Sequence, residues 1–166
     1  MIDRIFGGHH QAAQDRTPQT LQVGDAVSYD DENFLVEQRV TYHGDGGDIW
    51  WNFVLQGPTR RLLLDVDDDD GLELTMYEDV PFHPTLPLTS PVVFRGTAFE
   101  QEEHGFAETS VLRQHDATTE RVEYWYLEAE DGRQMLIRRL GDNETLPDPA
   151  QMTGTVKVGV GVTIKP

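Results

Sequence analysis

Residues able to do chemistry are plentiful in this sequence, but few are grouped for it. There is no cysteine, which excludes disulfides, thiolate nucleophiles and zinc–sulfur or iron–sulfur sites. None of Ser28, Ser90 and Ser110 sits in a Gly-x-Ser-x-Gly elbow, and no His-Glu-x-x-His run occurs. Glu102-Glu103-His104 and His115-Asp116 offer a carboxylate beside an imidazole, the elements of an acid–base or metal site, without a third partner that the sequence identifies. His9-His10 lies in a polar N-terminal stretch and is not preorganised for a metal. Gly44-Asp45-Gly46-Gly47-Asp48 is glycine-rich, but it lacks the lysine and Ser/Thr of a phosphate loop and carries two carboxylates that repel phosphate. Asp65-Val66-Asp67-Asp68-Asp69-Asp70-Gly71 invites a calcium reading. With Gly71 at loop position six, Val66 and Tyr77 fall where carboxylates are required, so the segment reads as a charged turn. No catalytic residue, metal-ligand set or cofactor is assigned.

The aromatic residues carry more information. Side chains alternate faces along a strand, so in Trp50-Trp51-Asn52-Phe53-Val54-Leu55 the residues Trp51, Phe53 and Leu55 share one face, and Trp50, Asn52 and Val54 the other. In Tyr124-Trp125-Tyr126-Leu127 the tyrosines oppose Trp125 and Leu127. One bulky face is explained by a local core. The other must meet a second unit, another subunit or a ligand, because large exposed aromatic patches are uncommon. Trp50, Asn52, Tyr124 and Tyr126 are therefore the candidate contact residues for a ligand or partner, with Trp51, Phe53 and Trp125 in the cores.

The elements that must carry these residues read as strands. Period-two alternation marks 34–42 and 72–76, and further strand signals lie at 49–55, 61–66, 92–94, 106–112, 122–127 and 134–140. Asp70-Gly71 and Asp131-Gly132 are turn signals. The segment 156–164 alternates valine and isoleucine with small or polar residues, and its Gly159 and Gly161 suggest curvature or close backbone approach. Pro81, Pro84, Pro87 and Pro91 mark a connector. The expected organisation is a flexible arm over 1–20, a first β unit over 21–80, a Pro-rich connector over 81–91 and a second β unit over 92–166, with a short helix near Pro147 to Met152. Gly24 and Gly96 stand 72 positions apart, as do Leu55 and Leu127, and Leu62-Leu63 matches Leu136-Ile137. The fold class is all-β: two related antiparallel meanders packed as sandwiches or open barrels.

The opening Leu21-Gln22-Val23-Gly24-Asp25, the strand Phe34-Leu35-Val36, the run Trp50 to Leu55, Leu62-Leu63-Leu64 before an acidic Asp-Gly turn, Phe94-Arg95-Gly96 and Tyr124 to Leu127 together resemble the bacterial family known as domain of unknown function 4178. The resemblance spans roughly 21–154. Leu62 stands where members often carry tryptophan. The family offers no catalytic residues to carry over. The association of its genes with membrane-stress proteins of the phage-shock type implies an accessory or interaction role.

Thirty acids against thirteen bases give a net charge of −17. Phosphate neutralisation requires a basic surface, so nucleic acid is not expected as a partner. Direct membrane insertion is not expected either, since no apolar run approaches the ~20 residues of a spanning helix. The reading is a non-catalytic cytoplasmic binding or scaffold module, with a protein partner and room for a homo-oligomer. The alternative is a hydrolase or other small-molecule enzyme built on a carboxylate/histidine site.

Overall fold

The computed structural model describes residues 2–6, 16–141 and 155–164. Eleven strands follow in chain order: β1 Ile2–Phe6, β2 Ala26–Tyr29, β3 Glu32–Gly44, β4 Ile49–Gln56, β5 Arg61–Asp67, β6 Glu73–Asp79, β7 Val92–Phe94, β8 Thr97–Leu112, β9 Ala117–Ala129, β10 Gln134–Gly141 and β11 Thr155–Ile164. A 3-10 turn at Pro18–Thr20 precedes β2. The protein is all-β, and no helix among the described residues is long and apolar enough to cross a membrane. The expected helix near Pro147 to Met152 and the His9-His10 pair lie outside the described residues.

All named strand pairs are antiparallel. Their order is β1-β2-β3-β4-β5-β6-β11-β10-β9-β8-β7, and β3 also pairs with β8. That last ladder, from Arg39↔Leu112 to Gly44↔Ala107, closes β3 to β6 and β8 to β11 into a ring without a free edge. The two meanders therefore share one ring. First strand meets first strand at β3–β8, and last meets last at β6–β11. β11 is shared between the halves, because it bonds β6 on one side and β10 on the other.

β2 and β7 are short flaps on the leading halves of β3 and β8. Each hairpin turns through two residues with positive φ, Asp30-Asp31 and Arg95-Gly96, as a tight turn matching the strand twist requires. Ile2–Phe6, placed by the sequence within a flexible arm, is instead a strand paired to β2.

The long strands change sides through bulges. The β3–β4 register shifts between Val36 and Gln38, and the β8–β9 register between Gln101 and Glu103. An extra residue reverses which face the following side chains occupy. Phe34 and Val36 thus pack outside the ring with Phe53, Leu55, Leu62, Leu64 and Met76, under Leu21 and Val27. After the bulge Val40 and Tyr42 turn inward to meet Trp50, Val122 and Tyr124. In β8, Phe99 lies in the second outer core with Trp125, Leu127, Met135 and Ile137. Beyond its bulge, Ala107 and Val111 point inward. The connector covers this second outer core with Phe82, Leu86 and Leu88.

The register qualifies the repeat spacing. Leu55 pairs with Val36 and Leu127 with Gln101, corresponding places ahead of the two bulges. Leu62 corresponds to Met135 and Leu63 to Leu136, one residue from the match suggested by the sequence. Gly24 precedes β2 whereas Gly96 lies in the β7–β8 turn, so those two glycines are not equivalent. β8 is also longer than the alternation of 106–112 implied, because its leading half is a run of exposed charged and polar residues.

Gly159 and Gly161 allow β11 to close the ring. A Cβ at Gly161 would stand 2.0 Å from the Met76 carbonyl oxygen, and one at Gly159 would stand 3.1 Å from the Tyr77 Cβ. The first obstacle is backbone and cannot rotate away. Gly161→Ala is expected to lower stability by about 3 kcal/mol, at the upper end of ordinary overpacking costs, read as a reduced denaturant midpoint.

Candidate functional site

The inward face of the ring carries a buried polar layer. Asn52 on β4 is 0% exposed. Its Oδ1 accepts a hydrogen bond from the Tyr42 hydroxyl at 2.7 Å, and its Nδ2 donates to Asp65 Oδ1 on β5. The Tyr126 hydroxyl, arriving from β9 on the opposite wall, donates to the same Asp65 Oδ1 at 3.1 Å. Trp50 Nε1 donates to the Tyr126 hydroxyl oxygen at 3.0 Å. Arg138 on β10 faces Tyr42 from the other side, and its charge opposes the rise that burial gives the Tyr42 pKa. Trp50 stacks on Tyr42, with ring centroids 4.9 Å apart, and meets Tyr124 edge-on at 5.1 Å. Leu63, Tyr77 and Leu136 fill the space beside this layer. The lumen is thereby plugged at its middle and open toward its ends.

One end is acidic. A cavity of about 270 Å³ is lined by Asp48, Asp65, Asp67, Glu73, Glu102, Glu103 and Glu128, together with Trp50, Tyr77 and Tyr126. None of these seven carboxylates makes an ion pair among the described residues. Asp65 forms the floor and is 7% exposed. Both side-chain hydrogen bonds it receives converge on Oδ1, leaving Oδ2 without a donor among the described residues. Burial pushes its pKa up to about 7 against the opposing hydrogen bonds of Tyr126 and Asn52. Partial burial also raises Glu103, and the nearby charges of Asp48 and Asp67 add to the effect. Among the described residues no group of carboxylates and histidines is arranged to hold a metal ion.

All four contact residues expected from the sequence lie on this inward face. Trp50, Tyr124 and Tyr126 meet one another across the ring, and Asn52 lies behind them. The surface that their bulk required includes the opposite half of the same chain. Phe53 and Trp125 are in the outer cores, and Trp51 packs partly buried on the first of them. The two acid–histidine groups do not form a site: Glu102 and Glu103 line the acidic cavity, but both histidines lie elsewhere. His104 Nε2 is 2.8 Å from Glu123 Oε2 on the outer face, stacked on Trp125, and Arg139 holds the other Glu123 oxygen. Burial and the Arg139 charge lower the His104 pKa. His115 and Asp116 border a separate groove with Leu35 and Arg113. Neither histidine faces two carboxylates in a cavity.

Sequence reasoning gave no role to Tyr42 or Arg138, and met Asp65 and Tyr77 only as positions of a calcium loop that fails. The available signal was a charged residue inside an apolar run: Asp65 follows Leu62-Leu63-Leu64, and Arg138 follows Leu136-Ile137. The sequence reads Asp65 and Asp67 as part of a charged turn. Alternation instead points both into the lumen, whereas Leu64 and Val66 enter the outer core.

Fold and site together define an all-β ring protein with a plugged, polarised lumen. The chain belongs to the family described as domain of unknown function (DUF4178), whose model matches residues 22–145. It is 32% identical over 94 residues to an uncharacterized protein of Mycobacterium tuberculosis (strain H37Rv) and, to the same extent, to one of Mycobacterium bovis. The match covers 54% of this chain and 43% of each relative, so this chain spans under half of those proteins. No solved structure matches.

Two stability outcomes follow. Trp50→Ala would open the lumen packing and leave Tyr126 without its indole donor. The expected loss is about 3–5 kcal/mol, the usual cost of truncating a buried aromatic, checked by denaturant melts. The raised pKa of Asp65 sets a pH dependence. The unfolded carboxyl releases its proton near 3.8, while the folded one holds it to about 7. Folding therefore binds a proton in this interval, and the contribution of Asp65 to stability is full below that lower value and falls as pH rises to about 7, by on the order of 4 kcal/mol. Asp65→Asn should remove this slope and melt higher than the parent at pH 8.

Proposed function

We propose that this protein is a non-catalytic binding module whose acidic ring end receives a positively charged side chain of a protein partner. One observation carries the reading: seven carboxylates without ion-pair partners surround a single cavity of about 270 Å³, with the buried Asp65 at its floor. Like charges gathered at a low-dielectric wall are costly unless a cation answers them. A lysine ammonium or arginine guanidinium fits better than a metal ion. The carboxylates do not converge as metal ligands, while Trp50, Tyr77 and Tyr126 supply aromatic rings of the kind that attract organic cations. A second copy of this chain, at −17, is electrostatically a poor occupant. On this reading the module works in the cytoplasm, and the family resemblance implies an accessory role beside a membrane-stress complex.

No observation favours the hydrolase alternative. His104 is engaged with Glu123 outside the ring, and the buried polar layer satisfies its own hydroxyls and amide rather than presenting a nucleophile and base to a substrate.

The test is titration of the full chain with a short lysine- and arginine-containing peptide, followed by tryptophan fluorescence and calorimetry. Saturable binding is expected that weakens with salt and strengthens between pH 6 and pH 8 as Asp65 ionises. A Glu102→Gln, Glu103→Gln double variant should bind at least tenfold more weakly and keep the parent fold. Equal binding by the parent and this variant, or an affinity indifferent to salt, would overturn the reading.

A further inference from the structure

The opposite end of the lumen has different chemistry. A cavity of about 150 Å³ is lined there by aliphatic side chains, among them Val40, Val54, Val111 and Val122, and by Arg138 and Lys157. Arg61 and Arg113 stand at its border, but each already pairs with a surface acid, Glu37 and Asp116. Among the described residues Arg138 and Lys157 are not so paired. Asp79 and Glu120 line the same cavity, yet neither comes within 4.0 Å of either cation. Arg138 Nε is buried and has no hydrogen-bond partner. A guanidinium drawn into a ring interior with an unused donor is costly unless an anion completes it.

Register sharpens the contrast between the ends. Leu63 and Leu136 hold corresponding positions in the two meanders, so Asp65 and Arg138, each two residues further on, correspond as well. The same inward station carries an acid toward one end and a base toward the other.

We propose that this second end binds a carboxylate carried on a short aliphatic chain. The guanidinium is planar and matches a carboxylate in a two-pronged hydrogen bond. The valine and leucine walls accept methylenes. At roughly 30 Å³ for each water-sized unit, the cavity admits a head group and a few carbons and excludes a nucleotide. A phosphate dianion would add charge beside Asp79 and Glu120, whereas a monocarboxylate answers Arg138 alone. This site rests on the unused Nε–H donor of Arg138 and does not depend on the cation reading of the acidic end.

The experiment uses the full chain, labelled with nitrogen-15, titrated with hexanoate, acetate, inorganic phosphate and butylamine. Hexanoate is expected to shift the Arg138 Nε–H resonance saturably and to raise the melting temperature. Acetate should do so more weakly, and butylamine should leave that resonance in place. Arg138→Gln should weaken hexanoate binding by about 10- to 100-fold, the range for a lost charge-assisted hydrogen bond. Should that variant fail to fold, Lys157→Gln decides. Lys157 is exposed and forms no ion pair among the described residues, so the variant should fold normally and bind hexanoate a few-fold more weakly, while the parent's Arg138 resonance still reports occupancy. An unmoved Arg138 resonance at saturating hexanoate would overturn the proposal. Undiminished binding by the variants, or tighter binding of phosphate than of hexanoate, would do the same.

Discussion

The structure depends on one buried exchange of hydrogen bonds. Asn52 accepts from Tyr42 and donates to Asp65, and Asp65 in turn accepts from Tyr126 of the other half. A ring of this kind could have been filled with aliphatic side chains, as its two outer cores are. A polar layer costs desolvation, and it stays folded only if each member finds its partner in register. It thereby specifies the alignment of one meander against the other more tightly than apolar packing alone. A slip of one residue in any of β3, β4, β5 or β9 would turn the relevant side chain out of the ring and strand the rest.

Two features bring those residues to the same height. The bulges after Val36 and Gln101 let β3 and β8 serve an outer core with their first halves and the lumen with their second. The glycines of β11 then allow the shared strand to lie against Met76 and Tyr77 closely enough to close the circle. Gly105 plays a related part on β8, where a Cβ would meet the Tyr124 hydroxyl at 2.5 Å. These backbone allowances explain how an interior crowded with aromatic rings also holds a tyrosine–asparagine–aspartate relay.

Much of this arrangement was legible in the sequence, and the limits of legibility have physical causes. Strand type and alternation were readable because period two is imposed locally by the pleat. The pairing of Trp50 with Tyr124 and Tyr126 was visible only as a requirement that a second bulky face be covered. Which surface covered it depended on ring closure, a long-range event without a local signature. Bulges hide themselves for the same reason: Phe34, Val36, Val40 and Tyr42 read as one face of one strand, yet they belong to two. The charged leading half of β8 was passed over because one of its edges takes β7 and then β3 while its side chains face water, so hydrophobicity gives no cue. Asp65 was submerged in an acidic run whose other members do behave as a turn.

The polarity of the lumen follows from the same plug. Tyr42 faces Arg138 on one side and donates to Asn52 on the other, and Asn52 donates in turn to Asp65. The guanidinium and the carboxylate are thus tied through two neutral side chains instead of a direct ion pair. A direct pair would neutralise both groups and close the interior. Separation by a phenol and an amide leaves each charge facing its own end, with valine walls around one and carboxylates around the other. The buried carboxylate and the guanidinium are thereby held apart, each at its own end of the ring.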